Sequence, residues 1–233
     1  MIKMHYTIED KIALITLDDG KMNVMNWEFL QELNDCLDRT LADRASVLIF
    51  TGRQGIFSAG LDLKLLPTLS TIDEQLTFQK TFASAMLRVY MLPVPTIAAY
   101  TGHSIAGGAI LSYACDRFVL GDGPYKIQIN EVANKMILTS WISLICRSSI
   151  PHQFWKEAML HARAYSPREA FERGIVDDLV DGENKVMETA KELARDLFRL
   201  HGPAYAFTKK LMRQEEANKA LNYLEKELRE WAK

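Results

Sequence analysis

Residues 12–17 alternate: Ile12, Leu14 and Thr16 point one way and Ala13, Ile15 and Leu17 the other. Both sets are largely apolar, which predicts a strand covered on both faces. Asp18, Asp19 and Gly20 form a turn that closes it. Asn26 then stands as an N-cap before Phe29, Leu30, Leu33 and Leu37, whose spacing places them on one helical face. The expected unit is β-β-α. The run from Ala45 to Gly52 is continuously apolar and ends in glycine, as a buried parallel strand does. Thr71 and Glu74 have capping-box spacing, with Phe78, Phe82 and Met86 following at helical intervals until Pro93 and Pro95 stop the helix. The segment from Pro95 to Gly102 predicts one more strand. A glycine turn at 106–108 follows, then a helix through Cys115.

Alternating strands and helices predict an α/β fold. After about residue 138 the pattern turns almost wholly helical. Ser166, Pro167 and Glu169 combine a capping box with proline at the first helical position, and Gly174 ends that helix. From Glu183 to Lys233 the stripes Leu193, Leu197, Leu200 and Phe207, Leu211, Met212 predict three helices forming a packed cap. The chain divides into an α/β core, residues 1–175, and a helical C-terminal region, residues 176–233.

Composition narrows the function. Lys and Arg number 28 against 30 Asp and Glu, so no basic field gathers phosphates, and nucleic acid is not an expected partner. Cys36, Cys115 and Cys146 lack metal-ligand spacing and cannot all pair within one chain. That favours a reducing compartment. No stretch approaches the ~20 apolar residues of a membrane span, and the N-terminus carries no apolar leader, so the expectation is a cytoplasmic protein.

Two glycine turns, residues 57–63 and 105–109, each follow a predicted strand, where small residues let backbone approach a ligand. The second also opens a helix, whose free N–H groups favour an anion. Together the turns can cradle one developing negative oxygen; each alone reads equally well as a tight turn without function. The phosphate-loop and dinucleotide glycine motifs are absent from the sequence, which leaves nucleotide hydrolysis and nicotinamide chemistry without support. His103 and Ser104 are adjacent on a strand and so point to opposite faces, which argues for structural roles.

The run Ile56 to Leu63, then Gly102, Ala106, Gly107 and Gly108, then Cys115 and Asp116 resembles the signature of the crotonase (enoyl-CoA hydratase/isomerase) superfamily. Residues 21–30 and 164–177 extend the likeness along the chain. The resemblance implies a spiral of ββα units with a C-terminal region that packs homotrimers or dimers of trimers. It implies an acyl-CoA thioester substrate with no metal or redox cofactor, coenzyme A being part of the substrate. The N–H groups of Leu61 and Gly107 become the oxyanion hole, and Ala59, Gly60, Leu61, Asp62, Leu63, Gly107 and Asn130 become substrate contacts, with Asp62 mainly supporting its turn. Many hydratases in the family use two glutamates. The position matching the first is Ile110; the second is kept as Glu131, in an Asn-Glu ending like that of the mitochondrial 3,2-enoyl-CoA isomerases. A single carboxylate suits isomerisation of a 3-enoyl-CoA to a 2-trans-enoyl-CoA. Hydration of a 2-enoyl-CoA, or acyl-CoA binding without turnover, are the alternatives. Residues 132–136 lack the glycine that often follows this glutamate in the isomerases and carry Lys135 instead. Lys209, Lys210 and Arg213 read as a solvated helix face before they read as contacts to CoA phosphates.

Overall fold

The computed structural model describes residues 4–200 and 202–231. A hairpin of β1 (Met4–Glu9) and β2 (Ile12–Leu17) is followed by helix α1 (Trp27–Ala42). The Asn26 side chain caps that helix, accepting from the Phe29 amide at 3.1 Å. Three ββα passes then follow. The first is β3 (Val47–Gly52), β4 (Gly55–Ser58) and α2 (Ile72–Tyr90). The second is β5 (Thr96–Tyr100), β6 (Gly102–Ile105) and α3 (Gly107–Ala114). The third is β7 (Arg117–Gly121), β8 (Ile127–Gln128) and α4 (Ser140–Ser149).

Each pass gives its first strand to one sheet and its second to another. The larger sheet runs β1-β2-β3-β5-β7-β9, where β9 is Asp178–Val180, and the smaller runs β4-β6-β8. Apart from the antiparallel β1–β2 hairpin, neighbouring strands are parallel. This is the ββα spiral that the sequence motifs implied. The segment from Pro95 to Gly102, expected as one strand, instead bends at Thr101 and hands the chain from the large sheet to the small one.

Side-chain alternation decides what covers each face. Val47, Ile49, Ile97, Ala99 and Val119 pack against Val186, Ala190 and Ala194 of α6 (Glu183–Phe198). Their neighbours Leu48, Phe50, Ala98 and Tyr100 face the main core. Ile12 and Leu14 are only half-buried, because a groove of about 840 Å³ separates the β1–β2 edge from α6.

The capping boxes at Thr71 and Ser166 are both formed, the second opening α5 (Pro167–Glu172). The C-terminal expectation needs correction. Strand β9 interrupts the helical stretch after residue 138, and the described residues from 183 onward form two helices, not three: α6 and α7 (Gly202–Trp231). Between Ala204 and Trp231 there is neither glycine nor proline to stop α7, so its 30 residues run about 45 Å. It packs on α2 and α4 through Ala217, Ala220 and Leu224. Phe207, Leu211 and Met212, expected to pack, face outward.

Candidate active site

The turn after β4 is braced from below. Asn23, almost fully buried, donates through its side chain to the carbonyls of Leu17 (3.0 Å) and Phe57 (2.9 Å). Ser58 Oγ donates to the Asn23 carbonyl at 2.7 Å and accepts from the Gly60 amide at 3.0 Å. The Met25 amide donates to the Gly60 carbonyl, and the Asp62 amide donates to the Met25 carbonyl. Those two bonds flank Leu61 in a parallel bridge, which turns its own N–H away from Met25.

The second turn meets the first. Gly60 adopts φ +81°, and a Cβ there would lie 2.6 Å from the Ile105 carbonyl oxygen and 2.7 Å from the Gly107 nitrogen. A Cβ on Gly107 would press Met25 Sδ at 2.8 Å and Phe82 Cζ at 3.0 Å. Glycine at position 60 is what lets the two backbones touch, whereas at position 107 a side chain would first displace Met25 and Phe82. Ala106, between them, is held at φ +50°, ψ −118°, a conformation costly for a residue with a Cβ. Its amide is pinned to the Gln128 carbonyl at 2.8 Å, and α3 begins immediately after it. Gly107 therefore presents a first-turn helix N–H, which has no partner within the helix.

Leu61, Ala106 and Gly107 line a cavity of about 320 Å³ together with Glu131. The other walls are mostly apolar and come from α2, α4 and the end of α7. Glu131 is 6% exposed, and its Oε2 is buried without a hydrogen-bond partner among the described residues. Burial pushes its carboxyl above the ordinary value, opposed more weakly by its own amide and that of Asn130. Among the described lining residues it is the one carboxylate. Ile110 is fully buried in α3 and takes no part in the lining.

Over residues 7–232 the chain matches the model of the enoyl-CoA hydratase/isomerase family. The chain belongs to this family. It is 29% identical over 211 residues to human mitochondrial enoyl-CoA delta isomerase 1, covering 89% of this chain and 69% of that protein. The crystal structure of human mitochondrial Δ3-Δ2-enoyl-CoA isomerase superposes with a TM-score of 0.91 at 26% identity, covering 99% of this chain and 90% of that one. A structure of an enoyl-CoA hydratase from Mycobacterium marinum superposes with a TM-score of 0.87 at 28% identity, covering 97% and 99%. Relatives named for both reactions thus stand at similar distance from this enoyl-CoA hydratase/isomerase member.

Of the site residues expected from the family motif, Leu61, Gly107 and Glu131 meet at the cavity. Gly60 lies behind it, making the contact between turns. The Ala59 amide donates to the Met22 carbonyl, and Asp62 accepts from the Lys64 amide, both supporting the turn. Leu63 is exposed, and the Asn130 carbonyl accepts from the Asn134 amide and side chain. His103 accepts from the Lys126 amide, whereas Ser104 is buried beside Ser112, so the two do not form a pair. Lys135 takes the left-handed conformation (φ +60°) that closes the turn after Glu131, and the residue is exposed.

Lys209 and Arg213 need correction. They are neither a solvated face nor open to a phosphate. Lys209 is 5% exposed and its Nζ lies 2.7 Å from Asp116; Arg213 reaches the other oxygen of that carboxylate at 2.8 Å. Only Lys210 is exposed. Further lining residues were not singled out from the sequence, among them Leu66, Leu69, Thr139, Leu228 and Trp231. Thr139 is buried with no partner for its hydroxyl among the described residues, and Leu228 and Trp231 lie far along the chain from the glycine turns they help to enclose.

Proposed function

We propose that the protein isomerises 3-enoyl-CoA thioesters to 2-trans-enoyl-CoA thioesters. The observation that carries this reading is that the one carboxylate among the described lining residues, buried and with one oxygen unpaired among them, shares the cavity with Leu61 and Gly107, whose amides are not taken up by the turn or the helix. The thioester oxygen accepts from the N–H groups of Leu61 and Gly107. Glu131 removes a proton from C2, the electron pair moves onto the thioester oxygen, and a dienolate forms. The same carboxyl then returns that proton to C4 as the double bond moves from C3–C4 to C2–C3. No water, metal or redox group enters the balance. Each preorganised amide contributes about 3–4 kcal/mol by comparison with measured oxyanion donors, and a positioned base contributes ~10²–10⁴-fold.

Hydration of a 2-enoyl-CoA is the second reading, favoured by Thr139, whose buried, unpartnered hydroxyl lines the same cavity and can hold a water. Acyl-CoA binding without turnover is the third. Ultraviolet absorbance separates them: isomerisation of a 3-enoyl-CoA raises the absorbance of the conjugated thioester, hydration of a 2-enoyl-CoA lowers it, and a binding protein changes neither. A 2-enoyl-CoA hydrated faster than its 3-enoyl isomer is converted would overturn the isomerase assignment.

Residues 176–233 are the proposed assembly region, packing a homotrimer or a dimer of trimers. Phe207, Leu211 and Met212 support this, since they are large apolar side chains left exposed within two turns of α7. Sedimentation of Leu211→Glu should show smaller particles than the unaltered protein. A reducing compartment is supported by three buried free thiols, Cys36, Cys115 and Cys146. No helix among the described residues is long and apolar enough to cross a membrane. The cytoplasmic expectation stands on the sequence alone, since the human relative is named as mitochondrial.

A further inference from the structure

The end of α7 forms part of the cavity wall, with Leu228 half-buried and Trp231 60% exposed. Its position is held by a contact of an unusual kind. The N-cap residue of α4, Thr139, makes no side-chain cap. Glu227 caps in its place from another helix, its carboxylate accepting from the Ser140 amide at 3.1 Å and from the Ser140 hydroxyl. A carboxylate on the positive end of a helix is favoured both by the free N–H groups and by the dipole. Arg229, two residues on, lies 3.7 Å from Asp73 in the first turn of α2. The last turns of α7 therefore bridge the starts of α2 and α4.

That placement sets a length. Phe82 on α2 sits against Gly107, at the thioester end of the cavity, while Ile72, also a lining residue, begins α2 next to the Asp73 that Arg229 of α7 approaches. The ten residues between them rise about 15 Å. An extended chain advances roughly 1.2 Å per bond, taking ~3.5 Å for the three backbone bonds of a residue. The wall along α2, which includes Leu76 and Phe82, is thus matched by an acyl chain of about ten to twelve carbons.

We propose that Leu228 and Trp231, latched by Glu227 onto the N-terminus of α4, act as the stop that limits the acyl chain to medium length. This rests on the reading that places the thioester at Leu61 and Gly107. A longer chain must displace Trp231 or unlatch Glu227.

Calorimetric binding of octanoyl-, dodecanoyl- and hexadecanoyl-CoA tests it without turnover, because saturated thioesters carry no double bond to move. The whole protein should bind dodecanoyl-CoA at least about tenfold more tightly than hexadecanoyl-CoA. Trp231→Ala should narrow that gap about tenfold, and Glu227→Gln should narrow it severalfold in the same direction. Trp231 is exposed, so its removal leaves the core intact. A gap unchanged in both variants, or no gap in the unaltered protein, overturns the stop while leaving the isomerase reading in place. Failure of all three thioesters to bind overturns both.

Discussion

Two carboxylates, the largely buried Asp116 and the buried Glu131, show how the same group is tied into the structure in one place and left with an unpaired oxygen in another. Asp116 sits where α7 crosses the start of β5. It accepts from the Thr96 amide (2.9 Å) and hydroxyl (3.0 Å), and it pairs with Lys209 and Arg213. Burial alone would push its carboxyl up, but Lys209 and Arg213 together with these hydrogen bonds overcome that and hold it below the ordinary range. Glu131 is buried more fully and meets no cation among the described residues. Its Oε2 is unpaired, and desolvation leaves it raised. Low dielectric penalises any charge, and what surrounds the charge decides whether the penalty is cancelled or kept available for proton transfer.

Replacing each acid by its amide sharpens the contrast. Glu131→Gln should lower turnover of a 3-enoyl-CoA by ~10²–10⁴-fold, equivalent to about 3–5 kcal/mol of barrier, while acyl-CoA binding measured by calorimetry persists. Comparable turnover in that variant would remove Glu131 from the mechanism. Its melting temperature should not fall, because Oε2 has no bond to lose and the glutamine carbonyl can still accept from the amides of Asn130 and residue 131. Asp116→Asn reverses the pattern. It strands Lys209 and Arg213 opposite a neutral amide, and breaking a buried pair in this way costs ~3–5 kcal/mol. Denaturant titration should show that loss, with the activity of the molecules still folded preserved.

These two carboxylates also mark what could be read in the sequence. Local chemistry was legible: the caps at Asn26, Thr71 and Ser166 are formed by residues within three positions of their partners. The two glycine turns and Glu131 were legible through a motif of fixed spacing, and the cavity brings Leu61, Gly107 and Glu131 together. What failed depended on distant partners. Lys209 reads as one more charge on a polar helix because Asp116, which takes it out of solvent, lies 93 positions away. The bend at Thr101 is invisible because the four residues of β6 join a separate sheet, and four residues carry too little periodicity to reveal it. Ala106 carries no local sign of its strained backbone, since alanine is ordinarily the residue least in need of it.

Gly60→Ala attacks the geometry rather than the charge. The added Cβ meets backbone on both sides, at the Ile105 oxygen and the Gly107 nitrogen, and φ +81° disfavours any side chain. The cost should be about 1–3 kcal/mol in stability, and turnover should fall as the two amides move apart. Gly55→Ala is the comparison, because that glycine shares a positive φ (+89°) but has open space where the Cβ would go. Equal loss of turnover in both would mean that the contact between turns does not position the amides.

The smallest effect expected is in the pH dependence, and its sign follows from the Glu131 environment. The folded carboxyl is raised above its ordinary 4.5, so below that value folded and unfolded chains are both protonated there and the group contributes no difference. As pH rises from the ordinary value through the raised one, the unfolded chain releases its proton first and the folded state loses stability. Above both, that loss is constant. Asp116 acts with opposite sign: its depressed carboxyl stabilises the fold above the ordinary value of 3.8, and that contribution disappears as pH falls through the folded value. Turnover should rise with pH across the Glu131 transition, since the deprotonated carboxylate is the base. The melting temperature of Glu131→Gln, compared with that of the unaltered protein, should therefore gain as pH rises above about 4.5, until the raised folded value is passed. A constant difference across that range would mean that Glu131 titrates as it does in water and that its burial does not prepare it for proton transfer.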